Sequence, residues 1–339
     1  MASSRNDSPV TVRDVAQLAG VSPGTVSKAL NGQGQLRDET RQRVQEAAEK
    51  LRFRPNQVAR SLSEGRTYTV GMLTSDSFGR FTLPLMMGIE DSLGAGKLST
   101  LLCDGRGDPL RERHYLTELL NRRVDGLVVT GRRPDARRSV GRLPIPVVYV
   151  LGRSDDPDDL TVTNDDEQGA RLAVEHLAAH GRTRLAYVSG PQHHLSTQLR
   201  QQGFEAAAAA AGAEVTDVLL GRWSEAWGRN AAALLLRRSR AAPADGVVCG
   251  SDQIARGLTD GLREAGVRVP DDVSVVGFDN WDVMAEAARP PLTTVDPKLQ
   301  RLGRNSASRL LAAIDGAELG HGVSAQPCEL VVRESSVPA

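Results

Sequence analysis

Apolar residues recur every three to four positions through the first fifty residues of the chain. In TVRDVAQLAGVSPGTVSKALN (11–31), Val15, Leu18 and Ala19 form one apolar face, which predicts a short helix. Thr11 stands before it as a cap for free N–H groups, and Asp14 falls near its positive end. Gly20 offers the backbone freedom a helix end needs, and Val21 plugs the gap. Ser22-Pro23 is then a cap followed by proline at the first position of a second helix. Val26, Ala29 and Leu30 face inward, leaving Pro23, Gly24, Thr25, Ser27 and Lys28 to look outward. Two short helices around a tight turn, the second presenting small and polar residues, are the geometry of a DNA-reading helix-turn-helix. Val44, Ala47, Ala48 and Leu51 carry the same period into a further packed helix.

Beyond Gly65-Arg66 the pattern changes. Apolar runs at 68–73, 98–103, 126–130 and 146–151 alternate with helical stretches near 84–95 and 109–122. The alternation repeats at 184–190, 246–250 and 273–279, and the alanine run 206–211 reads as a good helix. Short apolar runs bounded by turn residues are what buried parallel strands look like, so two doubly wound α/β lobes are expected.

Charge supports that division. Residues 1–62 hold ten Lys and Arg against six Asp and Glu, a net of +4, in a chain of zero formal net charge. The basic excess therefore lies where phosphates would be met. Met1 to Pro9 has no apolar stretch of signal-peptide type, and no run of 18 apolar residues follows, so neither export nor a membrane span is expected. Cys103, Cys249 and Cys328 are odd in number and lack metal-ligand spacing; they read as small core residues in a reducing cytoplasm.

The segments TVRDVAQLAGVSPGTVSKALNG and LRDETRQRVQEAAEKLRFRPNQVARSL resemble the headpiece of the LacI/GalR family of transcriptional regulators. That resemblance implies an all-α helix-turn-helix headpiece with a third helix near 38–50 and a hinge helix, followed by a two-lobed α/β core similar to periplasmic sugar-binding proteins. VDGLVV, NDDEQGARLAVEHLAAHG, CGSDQIARGL and VPDDVSVVGFDN are matching core segments. The expected division is a tail at 1–9, the DNA-binding domain at 10–54, hinge and linker at 55–66, and the effector-binding and dimerisation core at 67–339. Within the core, lobe one covers about 67–163 and 295–323, and lobe two about 164–290 and 326–337.

The resemblance puts Pro23, Gly24 and Lys28 at base-reading positions. Lys28 can donate to guanine acceptors, while Thr11, Ser22, Thr25, Ser27 and Asn31 suit the DNA backbone. In the hinge, Asn56 caps, Ala59 packs, and Leu62 falls where the family places a leucine that wedges into the minor groove. The headpiece departs from the pattern at Phe53, where a tyrosine is usual, at Arg52, where a glycine is usual, and at Arg37, whose capping work falls to Asp38.

For the effector, the resemblance selects Arg200 and Asp279, then Ser196, His194, Trp223, Asp165, Phe81 and Ser251, with Asp252 capping the following helix. Arg80 replaces part of the usual first-lobe loop, which leaves both an acidic or phosphorylated ligand and a neutral oligosaccharide open. No nucleophile elbow, metal-spaced His/Cys set or phosphate loop appears, so no enzyme, cofactor or metal site is expected. An exported sugar-binding protein would share the two lobes but lack the headpiece. The expectation is a cytoplasmic, nucleoid-associated, dimeric repressor of operator DNA, controlled by a small molecule, most simply a mono- or oligosaccharide. The chain stops soon after VVRES, with no leucine-heptad tail for a tetramer. Inducer or corepressor action, and local activation, are left open by the sequence.

Overall fold

The computed structural model describes residues 10–30, 34–53, 66–77, 79–93, 98–132, 134–238 and 243–337. The hinge stretch, with Asn56, Ala59 and Leu62, lies outside the described residues, as does Asn31. Two compact units are present, Met1–Thr67 and Tyr68–Ala339.

In the first unit, α1 (Val12–Ala19), α2 (Pro23–Leu30) and α3 (Asp38–Lys50) enclose a core of Val15, Ala16, Ala19, Val26, Ala29, Val44, Ala47 and Ala48. Leu18, expected inside, is 45% exposed. Because α1 touches both α2 and α3, its buried stripe turns toward Ala16 and leaves Leu18 at the edge. Asp14 accepts from the Thr11 N–H and hydroxyl, both at 2.7 Å, which fixes the start of α1. Arg37 precedes α3 without a side-chain cap, and Asp38 is already the first helical residue. The expected replacement cap is therefore absent, and Asp38 acts only through its charge at the positive helix end.

The second unit carries two six-stranded sheets. β1 (Thr69–Thr74), β2 (Ser99–Asp104), β3 (Gly126–Thr130), β5 (Val147–Val150), β7 (Leu160–Asn164) and β13 (Gly322–Gln326) form the first, in the order β13-β7-β5-β3-β1-β2. Every pairing in it is parallel. β4 (Ala136–Arg137) and β6 (Arg153–Ser154) make a small separate ladder. The second sheet runs β14-β12-β11-β10-β8-β9, from β8 (Arg184–Ser189), β9 (Glu214–Leu220), β10 (Gly246–Cys249), β11 (Ser274–Phe278), β12 (Thr293–Asp296) and β14 (Glu329–Val331). Only β14 is antiparallel to its neighbour. The chain crosses between sheets after β7, after β12 and between β13 and β14. Residues 293–296 thus complete the second sheet, so the return to lobe one begins beyond Asp296 rather than at 295.

Helices cover both faces: α4 (Thr82–Leu93), α5 (Pro109–Asn121) and α11 (Leu299–Ile314) on the first sheet, α6 (Asp166–Ala179), α7 (Leu195–Ala211), α8 (Glu225–Arg238), α9 (Asp252–Glu264) and the short α10 (Asp282–Ala285) on the second. Buried aliphatic residues line each face, such as Met72, Val128 and Val150 on one side of the first sheet and Leu73, Leu127 and Val129 on the other. That double burial is why the strands read as continuous apolar runs. α6 and α7 approach so closely that a Cβ on Gly203 would stand 2.2 Å from the Glu167 carbonyl oxygen. The close packing sets the position of α7, which carries Arg200.

Candidate functional site

On the headpiece, the Ser22 hydroxyl accepts from the Thr25 N–H at 3.1 Å and lies 2.9 Å from the Thr25 hydroxyl, capping α2. Pro23, Gly24, Ser27 and Lys28 are exposed on the helix face opposite buried Val26 and Ala29. The structure thus brings onto one open surface Pro23, Gly24 and Lys28, which the resemblance assigns to base reading, together with Ser27. Thr11 spends its hydroxyl proton on Asp14 and has only its lone pairs left for an external donor.

In the core, loops at the carboxyl ends of both sheets meet at a cleft lined by residues of each lobe. The first-lobe rim is built around Asp76, whose carboxylate accepts from the Phe81 and Thr82 N–H groups at 2.8 and 3.1 Å. The Thr74 hydroxyl, 2.8 Å from that of Thr82, completes this mount. Held in this way, Arg80 reaches across the cleft, forms an ion pair with Asp279 and donates to Gln253 at 3.3 Å. Its guanidinium stacks 4.4 Å over Trp281 and 4.9 Å over Phe81.

On the second-lobe side, Arg200 is buried and already well occupied. It donates to Asp166 at 2.7 Å and to the Gly250 carbonyl at 2.5 Å, and lies 3.5 Å over the Phe278 ring. Its Nη1 is 3.9 Å from Asp279. Asp279 sits just after β11 with φ +112°, a backbone conformation that costs free energy and concentrates at functional positions. Burial raises the pKa of Asp279, while the Arg80 and Arg200 charges oppose the rise. Burial, reinforced by the Asp279 charge, pushes Asp252 up to about 8. The Thr294 hydroxyl and Trp281 N–H, at 2.5 and 2.7 Å, work against this as donors to its carboxylate.

Of the nine predicted effector residues, Arg80, Phe81, Ser196, Arg200, Trp223, Ser251 and Asp279 line the cleft. Two do not. Asp165 accepts from the Gln168 N–H at 3.0 Å and caps α6, leaving the wall to Asn164, the last residue of β7. His194 backs Trp223, accepting from its indole N–H at 2.8 Å with the rings stacked at 6.1 Å. Only glycine fits behind that pair, since a Cβ at Gly190 would meet Trp223 at 2.1 Å. The expected cap on α9 is also reassigned: Ser251 accepts from the Ile254 N–H at 3.4 Å, whereas Asp252 is turned inward to Thr294 and Trp281. Sequence reasoning missed Arg132, Asn164 and Gln253 on the wall. The available signal was position, because each lies at the carboxyl end of a buried strand or within a few residues of it.

The enclosed space is about 100 Å³, well below the roughly 300–1,000 Å³ of a small-molecule site. The Arg80 side chain reaches across this space to Asp279, so a ligand must displace it or part the lobes. Among the described residues no group of three His, Cys, Asp or Glu is placed to hold a metal ion. No described helix is long and apolar enough to cross a membrane.

Comparison with known proteins agrees with this arrangement. Residues 11–56 match the family described as bacterial regulatory proteins, lacI family, and residues 174–336 match a periplasmic binding protein-like domain. The HTH-type transcriptional repressor PurR of Aliivibrio fischeri strain MJ11 is 32% identical over 332 residues, covering 96% of this chain and 98% of the relative. PurR of Vibrio cholerae serotype O1 strain M66-2 is 33% identical over 332 residues, with 96% and 97% covered. Among solved structures, the lac repressor dimer bound to operator and the anti-inducer ONPF is 27% identical with a TM-score of 0.76, covering 97% of this chain and 100% of that one. The transcriptional regulator CelR in complex with cellobiose is 31% identical with a TM-score of 0.65, covering 96% and 99%. A helix-turn-helix headpiece joined to a two-lobed α/β core, with repressors as relatives along nearly its whole length, makes this chain a member of the LacI family of bacterial regulatory proteins: a DNA-binding transcriptional repressor with a ligand-binding domain, and not an enzyme.

Proposed function

We propose that the protein is a dimeric repressor of an inverted-repeat operator whose DNA affinity is set by a neutral mono- or oligosaccharide in the inter-lobe cleft. One observation carries the effector reading: the ionic chain Arg80, Asp279, Arg200 spans the two lobes. A ligand that enters must break or replace this chain, which ties occupancy to lobe arrangement. The charge of Arg80 is already met by Asp279, so an acidic ligand would confront a buried carboxylate. Sugar hydroxyls both donate and accept, which suits Asp279, Gln253 and Arg80 together, and the rings of Trp223 and Phe81 suit the apolar face of a sugar. The likeness to the CelR–cellobiose complex supports this class.

For the DNA half, Lys28 donates to guanine acceptors, and Pro23 and Gly24 contribute close contact. Thr11, Ser22, Thr25, Ser27 and Asn31 hold phosphates, and Asn56, Ala59 and Leu62 form the minor-groove hinge. Dimerisation is supported by Leu83, Met87 and Leu102, which stand 50%, 52% and 44% exposed on α4 and β2, and by the likeness to the lac repressor dimer on its operator. Action on DNA places the protein in the cytoplasm, at the nucleoid.

A thermal-shift panel of neutral saccharides, sugar acids, sugar phosphates and nucleobases tests the effector class. A ligand at about a hundred times its Kd adds roughly 2.7 kcal/mol of stability. The expected result is a neutral saccharide whose shift is lost in Asp279→Asn, and operator titration with it then separates inducer from corepressor. Stabilisation confined to sugar acids or nucleobases would overturn the saccharide assignment.

A further inference from the structure

A second and larger cavity, of about 640 Å³, lies within lobe one and is distinct from the inter-lobe cleft. Its floor is the set of loops that leave the carboxyl ends of the strands: Ser75 after β1, Gly107 after β2, Gly131 after β3 and Gly152 after β5. In the sheet order, β1 lies between β2 and β3, so the chain leaves β1 to one side and returns on the other. A crevice beyond the carboxyl ends at such a switch point is where open α/β sheets bind ligands.

The walls are basic. Arg113 on α5, Arg132 after β3, Arg137 in β4 and Arg138 beside it face the cavity, against the carboxylates of Glu112 and Asp135. Both carboxylates are already engaged, Glu112 by Arg137 at 2.9 Å and Asp135 by the Leu195 N–H at 2.7 Å. The side chains of Arg113 and Arg138 are exposed and make no hydrogen bond or ion pair among the described residues. Deeper in, the Arg137 side chain is 16% exposed, and its Nε is buried without a hydrogen-bond partner. A buried guanidinium N–H left unmatched at the base of a basic cavity is a donor awaiting an acceptor.

We infer that this cavity is a second ligand site, separate from the saccharide cleft, that takes a small phosphorylated molecule. Phosphate oxygens match the planar donor forks of arginine, and the volume fits a small molecule and not a polymer. Occupancy is transmitted to the cleft through Arg132 and Asp135. Arg132 lines both cavities. Three residues on, Asp135 holds the first N–H of α7, the helix that carries Ser196 and Arg200. An anion drawn to Arg132 and Arg137 therefore acts on the lobe-one end of the same contact that positions the effector side chains.

Isothermal titration of the full chain with inorganic pyrophosphate, in chloride buffer of matched ionic strength, tests the site. The expected result is one saturable site, weakened at least tenfold in the Arg113→Ser/Arg138→Ser double variant and essentially unchanged in Arg268→Ser, a substitution at an exposed lobe-two residue outside both cavities. Heats indistinguishable from the chloride control would overturn the proposal. So would binding that survives the double substitution, which would place the anion elsewhere, the inter-lobe cleft included.

Discussion

Asp252 shows how far a single side chain can depart from its reading in sequence. Ser-Asp before a helix offers two caps; the hydroxyl takes the role because the aspartate is drawn into a buried site by Thr294 and the Trp281 N–H. With its pKa pushed up to about 8 by burial and by Asp279, folded Asp252 keeps a proton that the unfolded chain has lost. Its contribution to stability is therefore greatest in acid and declines as pH rises from near 4 through 8. His176 acts in the opposite sense: burial lowers its pKa to about 4, so stability declines as pH falls through 6.5 toward 4. In Asp252→Asn, the urea midpoint measured from pH 5 to 9 should lose the decline with rising pH that Asp252 is expected to give the parent protein. Parallel curves for the two proteins would show that Asp252 does not titrate in this range.

At the level of elements, the end of α3 shows a local conflict. The Phe53 N–H bonds to the Ala48 carbonyl at 2.8 Å and the Arg52 N–H to that of Glu49 at 2.9 Å, a Schellman motif that needs a left-handed residue between them. Arg52 takes that position with φ +51°, and Phe53 packs on the headpiece core. The departures at 52 and 53 thus have a structural meaning that the charge and the missing hydroxyl did not reveal. Arg52→Gly should raise headpiece stability by about 1 kcal/mol, read as a higher Tm of the first transition, because relief of left-handed strain exceeds the added chain entropy. A lower Tm would mean that the arginine side chain contributes more than the strain costs.

For the whole molecule, Arg80 ties the lobes together. Removing it in Arg80→Ala should loosen both rims. Backbone hydrogen exchange is expected to speed up at 76–82 in lobe one and also at 279–282 in lobe two, while α11 is unaffected. Acceleration confined to 76–82 would show that the ion pair does not restrain the second lobe. Because Asp279 would then be left with Arg200 alone, the same variant should also change effector affinity, and the size of that change measures how much of the closed state Arg80 supports.

The local signals were legible in the chain because they depend on neighbours a few residues apart. The α2 cap at Ser22, the glycine end of α1, the apolar strand runs and the basic excess of residues 1–62 belong to this class. The family resemblance, rather than local pattern, pointed to Arg200, Asp279 and Trp223, which do line the cleft. What only the tertiary structure decided is which of two adjacent polar residues faces the ligand, as at Asn164 and Asp165, and which charge meets which. The Arg80–Asp279 pair joins positions 199 residues apart, and the unmatched Nε of Arg137 becomes significant only once four strand ends surround it. Local period and capping chemistry are short-range and can be read along the chain, whereas charge pairing and cavity shape depend on distances that exist only after the sheets have formed.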